Sequence, residues 1–251
     1  MQLSQAKIPA HLHDGLVEYT LPKNAMVCIS APRGSGKSVL LSNWLKMELH
    51  KRYDLVLVMS SSINLNEDYE DIRDKENVVF SDRLSEKALN GIFERQEAIM
   101  KMYRKDVRRK GVEQVDYEPQ RILIVLDDVI DSGVIRFGAV IDKFAERGRH
   151  VKFTVFLTSQ RLSAISRGIR TNSDLMIYFY PNLATETERV LEEQVPKQYK
   201  VTFLQKAYEI WEQIPYSFIL VDNKQKGLNR FMFSTTAEFL KGRVYKMRLL
   251  D

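Results

Sequence analysis

Thiol chemistry is nearly absent from this 251-residue chain. Its one cysteine, Cys28, rules out an internal disulfide and fits a reducing compartment. Histidine is sparse as well, and the pair His11 and His13 sits in a polar stretch with no cysteine partner, which reads as a solvated terminus rather than a metal site. No apolar run approaches the length of a membrane span. The first residues, MQLSQAKIPAHLHDG, lack the charged-then-apolar pattern of a signal peptide, so a soluble intracellular protein without a transmembrane segment is expected. Glycine and proline, at 11 and 7 residues, cluster into no linker, and the chain has no internal repeat or low-complexity tract. One domain over 1–251 is expected: a leader (1–24), a motif-bearing core (25–180), and C-terminal helices with a hairpin (181–251). The net charge of +5 is a mild basic excess that tolerates nucleic acid without requiring it.

What the chain does have is a set of apolar, β-rich runs separated by helical periods. The runs are Ala25 to Ile29, Leu55 to Met59, Val78 to Phe80, Ile122 to Leu126, Phe153 to Leu157, Leu175 to Tyr180 and Phe218 to Val221. This alternation predicts an α/β fold with a mostly parallel central sheet flanked by helices. Leu89, Ile92, Phe93, Ile99, Met100, Tyr103 and Val107 keep helical spacing and predict a long surface helix. The acidic stretch from Ser60 to Asn77 reads as a loop or short helical insertion. Beyond Pro196, Phe203, Leu204, Ala207, Tyr208 and Trp211 predict a terminal helix, followed by a β-hairpin that turns at Asn223 to Gly227.

The most informative segment is Ala25 to Leu40, AMVCISAPRGSGKSVL. A buried-type strand runs into a glycine-rich turn and then a helix, the context a phosphate-binding loop requires. Gly34 and Gly36 let backbone N–H groups turn toward phosphate oxygens, Lys37 reaches the β- and γ-phosphates, and Ser38 offers a hydroxyl to Mg2+. Pro32, Arg33, Gly34, Ser35, Gly36, Lys37, Ser38 and Val39 are the expected nucleotide contacts. Ala31 stands where the motif usually starts with glycine, a tolerable change if its φ stays negative.

A second motif closes the strand Ile122-Leu123-Ile124-Val125-Leu126, which ends in Asp127-Asp128. Carboxylates at the C-terminal tip of a central strand lie where doubly wound sheets bind ligands. Asp127 fits a Mg2+-associated acid and Asp128 a carboxylate that polarises water for attack on the γ-phosphate. The long gap between Lys37 and Asp127 leaves room for a further strand between theirs in the sheet, which favours a motor-type ATPase over a small kinase. Phe153 to Leu157 is followed by Thr158-Ser159-Gln160. Gln160 is placed to sense the γ-phosphate or orient water, while Thr158 and Ser159 read as turn formers.

Together, SAPRGSGKS, ILIVLDD, ERGRH before a strand, VFLTSQ and GIRTNSDLMIYF make the region from Ala25 to Tyr180 resemble the FtsK/HerA superfamily. Within it, the chain looks like the genome-packaging ATPases of double-jelly-roll viruses: large eukaryotic DNA viruses, virophages and tailless membrane-containing phages. That resemblance implies a RecA-like P-loop NTPase core in a homo-oligomeric ring, a pentamer or hexamer, that hydrolyses ATP with Mg2+ and drives double-stranded DNA into a capsid. It also implies a capsid or portal vertex protein as partner, and a cytoplasmic site of viral assembly, or the virion, as location. Asp128 departs from the Glu common in the wider group. An arginine from a neighbouring subunit completes such sites; Arg149 is the first choice by motif position, with Arg147 and Arg170 as alternatives. Two basic clusters, Lys101 to Lys110 and Lys241 to Arg248, suit sequence-independent contact with DNA phosphates. The competing readings are a cellular or plasmid DNA pump, a nucleotide-gated capsid-assembly protein, and a small-molecule kinase.

Overall fold

Side chains of the strand Ile122–Asp127 (β5) alternate between two cores: Ile122, Ile124 and Leu126 enter one, Leu123 and Val125 the other. The strands Met26–Ser30 (β2) and Phe153–Ser159 (β6) divide their residues in the same way, as buried strands covered on both faces must. This is a computed structural model, and it describes residues 8–47, 52–60, 63, 67–82, 85–128 and 138–250. Leu55–Ser60 (β3), Val78–Ser81 (β4) and Leu175–Phe179 (β7) join β2, β5 and β6 in a parallel array. Ser217–Asp222 (β8), Phe231–Thr235 (β9), Arg243–Met247 (β10) and His13–Glu18 (β1) continue it antiparallel. Among the described residues the ten strands form one sheet, in the order β1-β10-β9-β8-β7-β2-β6-β5-β3-β4.

The expected hairpin is present, with Ser217 opposite Thr235, but it does not end the sheet: its first strand joins β7 antiparallel and its second pairs with β10, so the sheet goes on. Residues 13–18, expected in a solvated leader, form its edge strand instead. His13 packs against Tyr245 with ring centroids 4.9 Å apart, and His11 pairs with Glu209. Short strands of mixed polarity, such as HDGLVE, carry little hydrophobic signal because one face of an edge strand meets water.

Lys37–Met47 (α1), Glu70–Arg73 (α2) and Thr236–Leu240 (α8) cover one face. Glu86–Lys110 (α3), Gly138–Arg147 (α4), Arg167–Asn172 (α5), Ala184–Gln194 (α6) and Lys200–Gln213 (α7) cover the other. The long α3 starts at Ser85, whose hydroxyl accepts from the Ala88 N–H at 3.3 Å, and stops at Gly111, whose φ of +88° suits a residue without a side chain. Phe93 on α3 meets Phe144 edge-to-face at 5.1 Å and stacks on Phe153 at 5.7 Å. Burying each such ring contributes about 1.5–3 kcal/mol. Buried Gln96 reaches from α3 to the carbonyls of Gln120 and Val151 at 2.7 and 3.1 Å, fixing the helix to the starts of β5 and β6. Cys28 is wholly buried, and burial pushes its thiol up to about 12, so it behaves as a small apolar group. Leu49, Asn64 and Asn66 lie outside the described residues.

Candidate active site

The site gathers at the C-terminal tips of β2, β5 and β6, with β6 between the other two, as the spacing of the motifs requires. β2 delivers residues 31–36, and α1 begins directly at Lys37. Gly34 and Gly36 hold φ of +79° and +98°, which a side chain would resist, and this geometry turns the loop back over the helix N-terminus. Ala31 keeps a negative φ and is buried; its N–H donates to the Ser159 carbonyl at 2.9 Å, tying the loop to β6. Its methyl group is accommodated without strain. Ser35 Oγ is buried with no hydrogen-bond partner among the described residues, an orphaned donor inside the loop that an anion oxygen would satisfy.

Lys37 is only 6% exposed. Its ammonium pairs with Asp128, lies 3.4 Å from Asp127 Oδ1, and reaches Thr158 Oγ1 at 3.5 Å. A buried cation needs such partners, since an unpaired one would be strongly disfavoured. Thr158 donates to Asp127 Oδ1 at 2.8 Å and accepts from the Asp128 N–H at 2.9 Å. Thr158 and Ser159 are thus buried members of β6, not turn formers. Tyr69, fully buried in the turn before α2, donates to the second Asp127 oxygen at 3.0 Å. Burial, reinforced by the Asp127 carboxylate, pushes the Tyr69 phenol well above its usual range, so it remains a donor at all ordinary pH.

The chain leaves β5 through Asp128 with φ of +52°. Aspartate and asparagine enter this left-handed region more readily than longer side chains, because their short polar groups bond locally. That backbone turn gives a physical reason for Asp128 where glutamate is commoner: it keeps the carboxylate beside Lys37.

The remaining candidates are placed differently. Gln160 is exposed at the same edge, one residue beyond buried Ser159. Val39 is exposed on the first turn of α1. Arg170 is 3% exposed, with its guanidinium bound to Glu193 Oε2 at 2.7 Å and to the carbonyls of Leu162 and Ile165. It is an interior strut. Arg147 pairs with Glu97. Arg149 is exposed in the turn before β6 and makes no ion pair among the described residues. That turn lies at the opposite sheet edge from Lys37, separated by the seven residues of β6, roughly 20 Å of strand.

Thr158 and Tyr69 were missed by the sequence reading. A polar β-branched residue at the tip of an otherwise apolar strand was the available signal for Thr158; Tyr69, in an acidic segment, offered none.

The sequence matches the poxvirus A32 protein family over residues 20–205. The chain belongs to that family. It is a P-loop ATPase of the FtsK/HerA type, with the expected mostly parallel sheet flanked by helices. Among curated proteins none matches by sequence. Among solved structures, the genome packaging NTPase B204 of Sulfolobus turreted icosahedral virus 2, in complex with AMP, is 17% identical, with a TM-score of 0.56 over 91% of this chain and 100% of that one. B204 of Sulfolobus turreted icosahedral virus, described as a DNA-packaging ATPase, gives 16% and 0.53 over 91% of this chain and 100% of its own. ATPases 2 and 3 of EssC from Geobacillus thermodenitrificans give 15% and 0.61, covering 98% of this chain and 47% of that one. No described helix is long and apolar enough to cross a membrane.

Proposed function

We propose that this A32-family protein is the motor that drives a double-stranded viral genome into its capsid, using ATP bound at the loop of residues 31–38. The observation that carries the reading is the cluster of buried Lys37, Asp127 and Thr158 with half-buried Asp128 at the mouth of that loop. In it a phosphate-binding cation, a metal-binding acid and a water-orienting acid converge on one point. Family membership supports packaging as the work done, as does the genome-packaging role of the structurally similar B204 proteins.

The loop N–H groups, Ser35 and Lys37 would hold the phosphates, and Ser38 with Asp127 would hold Mg2+, whose bound charge offsets the negative charge of the β- and γ-phosphates. Thr158 and Tyr69 fix Asp127 in orientation. Asp128 orients the attacking water, and Gln160 reports the state of the γ-phosphate at the same edge. Arg149 lies too far from its own Lys37 to act in the same subunit, so its role requires a neighbour. A head-to-tail ring, five- or six-membered, presents that opposite edge to the next nucleotide.

For DNA, the end of α3 is the better of the two basic segments. Lys101, Arg104, Lys105, Arg108 and Arg109 line a surface hollow of about 390 Å3, and the helix C-terminus favours cations there. In the other cluster, Lys241 and Arg243 share Glu238 at 3.3 and 2.7 Å, and Arg248 pairs with Asp14 at 2.7 Å, so part of that charge is offset, as it is at Lys101 and Arg109 by Glu97 and Asp106; the hollow beside Lys241 and Arg243 is not lined by basic residues alone. A capsid vertex protein and a cytoplasmic assembly site follow from the same reading. The test is ATPase rate with and without double-stranded DNA, beside the oligomeric state. Turnover stimulated by DNA of any sequence, in a ring, is the expected result; nucleotide binding without DNA stimulation would instead favour a nucleotide-gated assembly protein.

A further inference from the structure

A tyrosine occupies a backbone position that ordinarily belongs to glycine. After α7, residues 214–217 form a turn closed by the Ser217 N–H to the Ile214 carbonyl at 3.2 Å. Pro215 is its second residue, and Tyr216, its third, has φ of +55°. A turn with proline second and a positive φ third is one in which glycine or asparagine is the usual third residue. Holding a bulky aromatic there is unfavourable unless the surroundings or a function require it. Core packing is not the requirement, because Tyr216 is 63% exposed.

What the strained turn achieves is contact with the phosphate loop. A Cβ placed on Gly36 would lie 3.3 Å from Tyr216 Cδ1 and 3.8 Å from Tyr216 Cβ, so the tyrosine rests directly on the last glycine of the loop. The side on which it rests matters. In the sheet order β8-β7-β2-β6-β5, Lys37 leans toward β6 and β5, where Asp127, Asp128 and Thr158 meet its ammonium. The γ-phosphate end of a nucleotide is drawn to that flank. Tyr216 stands just before β8, on the other flank, away from those charges.

We infer that Tyr216 is the platform on which the nucleobase stacks, an inference that rests on the reading of residues 31–38 as a nucleotide site. An exposed ring attached to a rigid turn binds a base with little loss of side-chain freedom. Because every base has a π-face, such a platform accepts adenine and guanine alike. Recognition would then lie in the triphosphate, with the base contributing affinity more than selectivity.

The test compares Mg2+-dependent binding of ATP, GTP and inorganic tripolyphosphate to the full chain and to two variants, Tyr216→Gly and Tyr216→Phe. Glycine suits the turn better than tyrosine, so Tyr216→Gly keeps the fold and removes only the ring. The expected result is that ATP and GTP affinities fall about tenfold in Tyr216→Gly, tripolyphosphate affinity is unchanged, and Tyr216→Phe matches the natural chain. A purely structural role would weaken tripolyphosphate and ATP together, and that outcome, or unchanged ATP affinity, overturns the platform while leaving the phosphate loop standing. If the natural chain binds neither ATP nor tripolyphosphate, the nucleotide site itself is refuted and the platform with it.

Discussion

One hydroxyl connects the two acids of the site: Thr158 Oγ1 donates to Asp127 Oδ1 at 2.8 Å and accepts from the backbone N–H of Asp128 at 2.9 Å. The Asp127 carboxylate and the backbone that aims the Asp128 carboxylate are thereby held from the neighbouring strand. The bond to the Asp127 carboxylate contributes about 1.5–3 kcal/mol and the one from the Asp128 backbone N–H about 0.5–1.5 kcal/mol, enough to fix the first side chain and the backbone that carries the second.

Thr158→Val preserves shape and removes the hydroxyl, leaving the Asp128 N–H and one Asp127 oxygen each short of a partner. Turnover should fall roughly 10- to 100-fold with a smaller loss in nucleotide affinity, and Thr158→Ser should restore most of it. Steady-state ATPase rates beside equilibrium nucleotide binding decide the matter. Valine turning over like threonine would remove Thr158 from the machinery.

Asp128→Asn and Asp128→Glu separate backbone from charge. Asparagine tolerates the φ of +52° and should melt close to the natural chain, yet lose turnover by about 100-fold or more, since the amide cannot polarise water as a carboxylate does. Glutamate keeps the charge but tolerates that backbone poorly, so Asp128→Glu should lose about 1 kcal/mol or more of stability. Thermal melts with single-turnover hydrolysis test both halves; a glutamate variant as stable and active as the natural chain would remove the backbone explanation for aspartate.

The parallel half of the sheet was legible because its strands are buried on both faces, so ILIVL and FTVFL read as strands without help from neighbours. The phosphate loop was legible because a tight anion cradle admits few residue types. Less visible were contacts made only by folding. Tyr69 lies in an acidic segment and acquires its role only when folding brings its hydroxyl to Asp127, a residue far along the chain, and Tyr216 matters through a turn whose strain no composition reveals. The edge strand β1 escaped because His13 to Glu18 alternates weakly and finds its partner, β10, more than two hundred residues away. Arg170 looked like any other arginine near the site until Glu193 was seen to enclose it.

Arg170 and Glu193 make an acid-sensitive strut. Hydrogen bonding from Arg170 holds the Glu193 carboxyl below its ordinary value of 4.5. A carboxyl whose folded pKa is depressed adds stability above its unfolded value, and that contribution disappears as pH falls through the folded value. Glu193→Gln should therefore be less stable than the natural chain at pH 7, and the gap should narrow as pH drops below about 4.5. Denaturant melts of both proteins across pH 3 to 7 measure the gap; a difference that stays constant with pH would exclude this pair as its source.

Arg149→Ala should fold and bind ATP almost normally while losing turnover in the ring, because Arg149 lies at the sheet edge opposite its own Lys37 and can act only on a neighbour's nucleotide. Mixing subunits gives the decisive version. Lys37→Ala subunits cannot hydrolyse their own nucleotide but keep Arg149, whereas Arg149→Ala subunits keep an intact phosphate loop. At interfaces where a Lys37→Ala subunit lends its arginine to an Arg149→Ala neighbour, one complete site is rebuilt from two defective chains. Mixed rings should regain a measurable fraction of ATPase activity that neither variant shows alone, and the fraction should rise and fall with mixing ratio, peaking near equal amounts. If mixing restores nothing at concentrations where the natural chain is active, Arg149 is not the arginine supplied in trans. Arg147, whose pairing with Glu97 is exposed enough to exchange, then becomes the residue to test in the same way.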